Sequence, residues 1–322
     1  APAAAAPRPL VIAAFAAIYL IWGSTYLAIK YAIETVPPFL MTGARFLVAG
    51  GVLYAWSVFR ARSLGGRAVP VPAVGLTRRQ WRDAFIVGAL LIVGGTALVG
   101  WAELSVASGI TSLILATTPL WMVIMESAVE LRRLPSPRVL AGVSVGIGGL
   151  AVLIWPSVVA PGSGLDVLGI AWLVVAALAW SAGAMYSRRA ALPASPARAS
   201  GMQMIAGAIL SVLCGLALGE HRQLSVAAIT PASMLAVGYL VIAGALVGFS
   251  AYLWLMRVST PSRVATHAYV NPVVAVVLGW AILGEPVTAR TMVAMAVIVV
   301  AVVLIVSAPK TARPALRERV LS

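Results

Sequence analysis

Cysteine, histidine and acidic side chains are scarce in this chain. Its 322 residues include one Cys, two His and nine Asp and Glu together. A single cysteine rules out an internal disulfide framework, and Cys214, inside the apolar run MQMIAGAILSVLCGLALG, reads as a small core residue. No His, Cys, Asp or Glu cluster has metal-ligand spacing, so neither a metal nor a cofactor is expected. There is also no Gly-rich loop followed by Lys and Ser or Thr, which an ATP-driven pump would need to cradle phosphates. Serine chemistry within a bilayer would require a Ser paired with a His on facing helices. The PGSGLD segment lies in a loop and lacks that spacing, so an enzyme is not expected.

Charge is the other scarce property. Charged residues make up 10% of the chain, against about a quarter in soluble domains, while 61% of residues are hydrophobic. This balance describes an all-α membrane protein. Ten apolar runs of spanning length are centred near Tyr19, Ala49, Ile92, Leu115, Leu150, Val175, Leu210, Gly244, Val274 and Ile298. The first begins after Arg8 like a signal peptide but continues to span length, so it reads as an uncleaved helix.

A net charge of +14 would suit a nucleic-acid surface, but the placement of the basic residues argues otherwise. With the N-terminus inside, 19 of the 23 Lys and Arg fall on the cytoplasmic side of the ten runs. Lys30, Arg222 and Arg290 fall outside, and Arg45 lies within a run. That split follows the positive-inside rule, so both termini are expected in the cytoplasm and no nucleic acid is expected as a partner.

The halves also repeat. A shift of 158 residues sets Trp22 on Trp180, Lys30 on Arg188, Gly43 on Gly201 and Arg45 on Gln203. A shift of 153 sets Gly95 on Gly248, Trp101 on Trp254 and Thr118-Pro119 on Asn271-Pro272. A unit of five spans is odd, so the second copy starts on the opposite side of the membrane. Two inverted five-helix repeats are therefore expected, 9–157 and 165–308, followed by a basic cytoplasmic tail, 309–322. Inverted repeats recur in secondary transporters, where two halves rock about a site between them.

Polar stripes mark candidate inward faces. Trp22, Tyr26 and Lys30 share one side of the first run at i, i+4 and i+8, and Arg263, His267 and Asn271 share one side of the ninth. Polar groups facing lipid are costly, so these faces should point into the bundle. Trp22, Tyr26, Trp101, Trp180, His267 and Asn271 are the candidate substrate-binding residues, although an aromatic belt competes for Trp101 and snorkelling for Lys30. Pro119 and Pro272 are candidate helix breaks. Arg45 has two uses open to it, attracting a substrate carboxylate or pairing with a helix end, and the neutral Gln203 at the matching position favours pairing. Glu126 and Glu130 should join Arg132 and Arg133 in a cluster of ion pairs, while Glu103 is either an outer-mouth residue or a gate acid.

The stretch IWGSTYLAIKYAIETVPPFLMTGARFLVAGG closely resembles the ten-helix EamA branch of the drug/metabolite transporter superfamily. ASGITSLILATTPLW and YVNPVVAVVLGWAILGEPVT extend the likeness across both halves. The resemblance implies two inverted five-helix bundles around a central cavity and export of small metabolites from the cytoplasm across a bacterial inner membrane. Members of the YddG type move aromatic and other neutral amino acids. Small four-helix relatives bind cationic drugs through a glutamate in their first helix, and here the segment Trp22 to Tyr26 holds no acid. The expected partners are thus a small-molecule substrate and the lipid bilayer, with a monomer as the working unit. Export of other metabolites or drugs is the alternative, followed by a channel, a flippase or an intramembrane enzyme.

The charge asymmetry generates a topological test. A reporter fused after Arg319 should report from the cytoplasm, and a cysteine at Gly164 should react with an impermeant thiol reagent added outside. An external C-terminus would overturn both the orientation and the inverted repeat.

Overall fold

The computed structural model describes residues 7–63, 76–126, 128, 136–159, 166–259, 264 and 267–306. All of its regular elements are helical. α1 is Arg8–Ile33 and α2 is Pro38–Ser63. α3 runs through Arg78–Gly88, Ala89–Ala97 and Leu98–Ala102. α4 has two pieces, Ser108–Leu115 and Thr118–Met125. α5 is Pro137–Val159, α6 Val167–Ser187 and α7 Pro196–Ala217. α8 runs through Pro231–Tyr239, Leu240–Gly248 and Phe249–Val258, and α9 and α10 are His267–Leu283 and Ala289–Val306. The expected tail 309–322, Arg132 and Arg133, and Arg263 lie outside the described residues.

Among the described residues, seven helices are long and apolar enough to cross a membrane. The segments Pro137–Val152, Val270–Leu283 and Ala289–Ile305 are shorter apolar helices that coincide with the fifth, ninth and tenth expected runs. Large apolar side chains such as Leu20, Leu47, Phe59, Trp155 and Trp280 stand exposed on the bundle surface. Water would penalise such a surface, whereas lipid would not.

The helices interleave between halves. α1 packs chiefly on α8 and α9, and α6 on α3 and α4. α2 pairs with α7, and α5 with α10. Exchanging each helix for its partner five positions along converts every one of these contacts into another in the set, as an inverted duplication requires. The α2·α7 crossing shows the symmetry at atomic scale. A Cβ on Gly50 would lie 3.0 Å from the Gly201 carbonyl oxygen, and one on Gly43 would lie 3.2 Å from that of Ala208. The 158-residue shift carries the second pair onto the first. Without a hydrophobic drive between helices in lipid, such close backbone approach supplies much of the packing energy.

Helix starts repeat as well. Thr77 caps α3, its Oγ1 accepting from Gln80 N, and Thr230, 153 residues on, caps α8 by accepting from Ser233 N. α2 and α4 are capped from the opposite repeat instead. The buried Glu220 carboxylate accepts from Phe39 N and Leu40 N at 3.0 and 2.9 Å. Glu285 accepts from Ser108 N, Ser108 Oγ and Gly109 N at 2.7 to 3.0 Å. Each carboxylate satisfies donors that a helix leaves open and sits at the positive end of its dipole. Buried Asp83, near the start of α3, likewise accepts from Ala191 N and Tyr186 Oη beyond and within α6. The paired basic cluster expected around Glu126 is described only in part, with Glu126 3.5 Å from Arg188 of α6.

α4 breaks between Leu115 and Thr118, and Pro119 opens its second piece. Pro272, by contrast, sits inside the continuous α9. The two matched prolines therefore differ in their effect on the backbone.

Asp166 clasps two elements at the start of α6. Its carboxylate accepts from Ser105 Oγ at 2.6 Å and caps Leu168 N and Gly169 N. The Ser105 hydrogen bond, with the two backbone donors, holds this carboxyl below the usual carboxylate range. A depressed folded value means the clasp contributes fully above the ordinary carboxylate pKa and is lost as pH falls through the folded value. Thermal melts of the detergent-purified protein should therefore show an acid-limb loss of stability that is diminished in Asp166→Asn. An unchanged acid limb would show that the clasp does not contribute.

Candidate functional site

Both α3 and α8 widen into nine-residue π-helical stretches, Ala89–Ala97 and Leu240–Gly248. Such stretches sit frequently at functional sites, because the extra residue per turn redirects carbonyls and side chains. Here each receives a tryptophan from the other repeat. Trp22 of α1 lies on Gly248, where a Cβ would fall 2.5 Å from its Nε1. Trp180 of α6 lies on Gly95, where a Cβ would fall 2.8 Å from its ring. Only glycine leaves room for the indole in either place. The residues that align in sequence, Trp22 with Trp180 and Gly248 with Gly95, thus make equivalent contacts in space, each tryptophan on the glycine of the other repeat.

The Trp22 side is the more elaborate. Trp22 Nε1 donates to the Gly244 carbonyl at 3.2 Å. Its ring lies 5.3 Å from Tyr252 and 5.2 Å, edge-on, from His267, and Tyr252 also meets His267 and Phe249. This gives an aromatic wall from α1, α8 and α9. Rings at these separations attract through offset and edge contacts in addition to the area they bury.

The polar members of α9 are turned to the backbone. His267 Nδ1 donates to the Val264 carbonyl at 2.9 Å. Asn271, with its amide oriented to satisfy its neighbours, donates to the carbonyls of Tyr19 and His267 at 3.2 and 3.1 Å. The bond to Tyr19 fastens α9 to α1, and all three spend donors that a substrate would otherwise meet. Arg45 of α2 comes close to Gly244, whose carbonyl holds Trp22. A Cβ on Gly244 would lie 3.2 Å from its Nη2 and 3.3 Å from Thr25 Cγ2, and its guanidinium lies 4.7 Å from the Phe46 ring centroid.

The other expected residues fall elsewhere. Tyr26 is half-buried one turn beyond Trp22, within electrostatic reach of Glu103. Lys30 is not a cavity group: its Nζ donates to the backbone carbonyls of Glu103 and Val106, closing the end of α3. Glu103 is fully buried there, and neither carboxylate oxygen has a hydrogen-bond partner among the described residues. Trp101 packs edge-on to Phe39 at 5.8 Å, joining α3 to α2 away from the Trp22 cluster. Trp180 remains 42% exposed, so its wall is open where that of Trp22 is closed. A small surface cavity lies by the Glu285 cap, lined by Ala107, Ile110, Val276 and Thr291 among others. Phe249 and Tyr252 escaped the sequence reading. Their signal was their position just after Gly248, on the turn that faces the aligned tryptophan.

Known proteins carry the same pattern. The EamA-like transporter family matches residues 9–155 and again 167–307. The uncharacterized inner membrane transporter YedA of Escherichia coli K12 is 33% identical over 304 residues, covering 92% of this chain and 90% of that protein. A probable amino-acid metabolite efflux pump of Salmonella typhimurium is 25% identical over 280 residues, covering 84% and 86%. A crystal structure at 23% identity superposes with a TM-score of 0.58 over 93% of this chain and 98% of that one, which supports the fold. With interleaved halves, paired tryptophan-on-glycine contacts and a match to both repeats, the chain belongs to the EamA-like transporter family.

Proposed function

We propose that this chain exports neutral amino acids with large side chains from the cytoplasm across a bacterial inner membrane, by alternating access between its two repeats. The observation that carries this reading is the Trp22 wall, where Trp22, Tyr252, Phe249 and His267 converge at a π turn between α1, α8 and α9. An aromatic lining suits an apolar or aromatic side chain, with a few polar groups left to orient its charged ends. The contact also joins opposite repeats, so rocking of the halves would open it and expose a bound molecule to one side. The efflux of amino-acid metabolites named for the Salmonella relative agrees in substrate class. The inner-membrane setting named for YedA agrees in location.

Counterflow in liposomes tests the proposal. Purified protein, preloaded in turn with amino acids, cationic drugs, sugars and nucleotide sugars, should exchange phenylalanine and tryptophan. Trans-stimulated exchange would also separate a carrier from a channel. Trp22→Ala should weaken transport of these aromatic substrates by roughly 1–3 kcal/mol, the worth of an aromatic contact with its burial, and affect alanine less. A signal confined to cationic drugs or sugars would overturn the amino-acid reading.

A further inference from the structure

The site as described has an aromatic wall but no evident anchor for an anion. His267 and Asn271 give their hydrogens to backbone carbonyls, and Trp22 gives its own to Gly244. One group beside the wall has donors to spare. Arg45 is 7% exposed, and among the described residues its Nε has no hydrogen-bond partner and no carboxylate lies within ion-pair distance of it. Its one close companion is the face of Phe46, which accommodates the cation without satisfying any N–H in the plane of the fork. The pairing to a helix end expected from the sequence is therefore not found among the described residues.

A guanidinium buried in this way carries a heavy desolvation cost, and among the described residues no carboxylate offsets it. Most described acids are committed elsewhere: Glu220 and Glu285 to helix starts, Asp166 to Ser105, Asp83 to Arg82 and Ala191, and Glu126 to Arg188, while Glu34 stands exposed just past the end of α1. The unpartnered Glu103 lies by Lys30, at the end of α3. Arg45 meanwhile presses on Gly244, the residue whose carbonyl holds Trp22. A planar guanidinium whose Nε is unpartnered among the described residues, beside an aromatic wall, matches a carboxylate attached to a large apolar group.

We propose that Arg45 binds the carboxylate of the transported molecule, with the Trp22 wall taking its side chain. This rests on the amino-acid reading above and extends it by naming the anchor. The second repeat offers the neutral Gln203 at the matching position, so the anchor belongs to one half only. The asymmetry fixes which way a substrate lies in an otherwise symmetric frame.

The test compares four ligands in equilibrium binding to the purified protein: phenylalanine, 3-phenylpropionate, phenylalaninamide and phenethylamine. The wild-type chain should bind the two carboxylates and discriminate roughly tenfold or more against the amide and the amine, the loss expected when a charged hydrogen-bonding partner is removed. Arg45→Gln should lose the same factor for both carboxylates and leave the amine unchanged. Arg45→Lys should recover part of the affinity, as a point charge without the fork. Carboxylate affinity unchanged in a monodisperse Arg45→Gln protein would overturn the proposal. If that variant does not fold, equal wild-type affinity for phenylalanine and its amide would overturn it instead. Wild-type liposomes that fail to exchange phenylalanine would sink the amino-acid reading itself, whereas exchange that persists in Arg45→Gln sinks only the anchor.

Discussion

The structure depends on close approach between helices of opposite repeats, made possible by glycine at matched positions. In lipid, helices gain nothing from hiding apolar side chains from one another, so contact must come from tight packing and from interhelical hydrogen bonds. Gly50 against Gly201 brings α2 onto α7, and Gly95 and Gly248 each admit an indole from the other half. Because these contacts cross between repeats, neither half is a self-contained bundle. The first helix of each is packed into its neighbour, and any relative motion of the halves must loosen a tryptophan from its glycine.

Symmetry of the frame does not extend to the polar groups. The Trp22 indole is tied to Gly244 and walled by Tyr252 and His267, while Trp180 stays largely open. Arg45 faces the first of these walls, and its counterpart in the second repeat is a glutamine. The carboxylates show the same bias. Glu220, Glu285 and Asp166 fasten loops and helix starts at the end of the bundle where α1 finishes, joined there by Lys30 on the α3 carbonyls. A duplicated scaffold has thus been specialised by a handful of charged side chains.

How far this could be read from the sequence follows from the kind of signal each residue leaves. Trp22 and Trp180, or Gly95 and Gly248, keep their identities because each contact demands a particular shape, so a self-alignment finds them. The apolar runs were legible for the same reason that α1 to α10 form, since a span must be long and uncharged. Glu220 left no such trace: a carboxylate in a loop has no period, and nothing local says that it caps a helix 180 residues away. Both uses of Arg45 stayed open in the sequence, because whether a cation is paired is a question about space, not spacing. Lys30 shared a helical face with Trp22, yet its long stem carries the ammonium past that face to the turn after α3.

The central claim is that α1 lies in the opposite repeat and must move against it. Ser24 Oγ of α1 and Tyr239 Oη of α8 are 2.6 Å apart, which makes them a direct gauge of that contact. In a Cys214→Ser background, Ser24→Cys and Tyr239→Cys, whose thiols are too far apart for a direct disulfide once the tyrosine ring is gone, should be bridged by a short reducible bis-methanethiosulfonate reagent. Counterflow should then fall in proportion to the linked fraction and return on reduction. Failure of the pair to link would contradict the interleaved packing, and full exchange through the linked protein would contradict movement of α1 against α8.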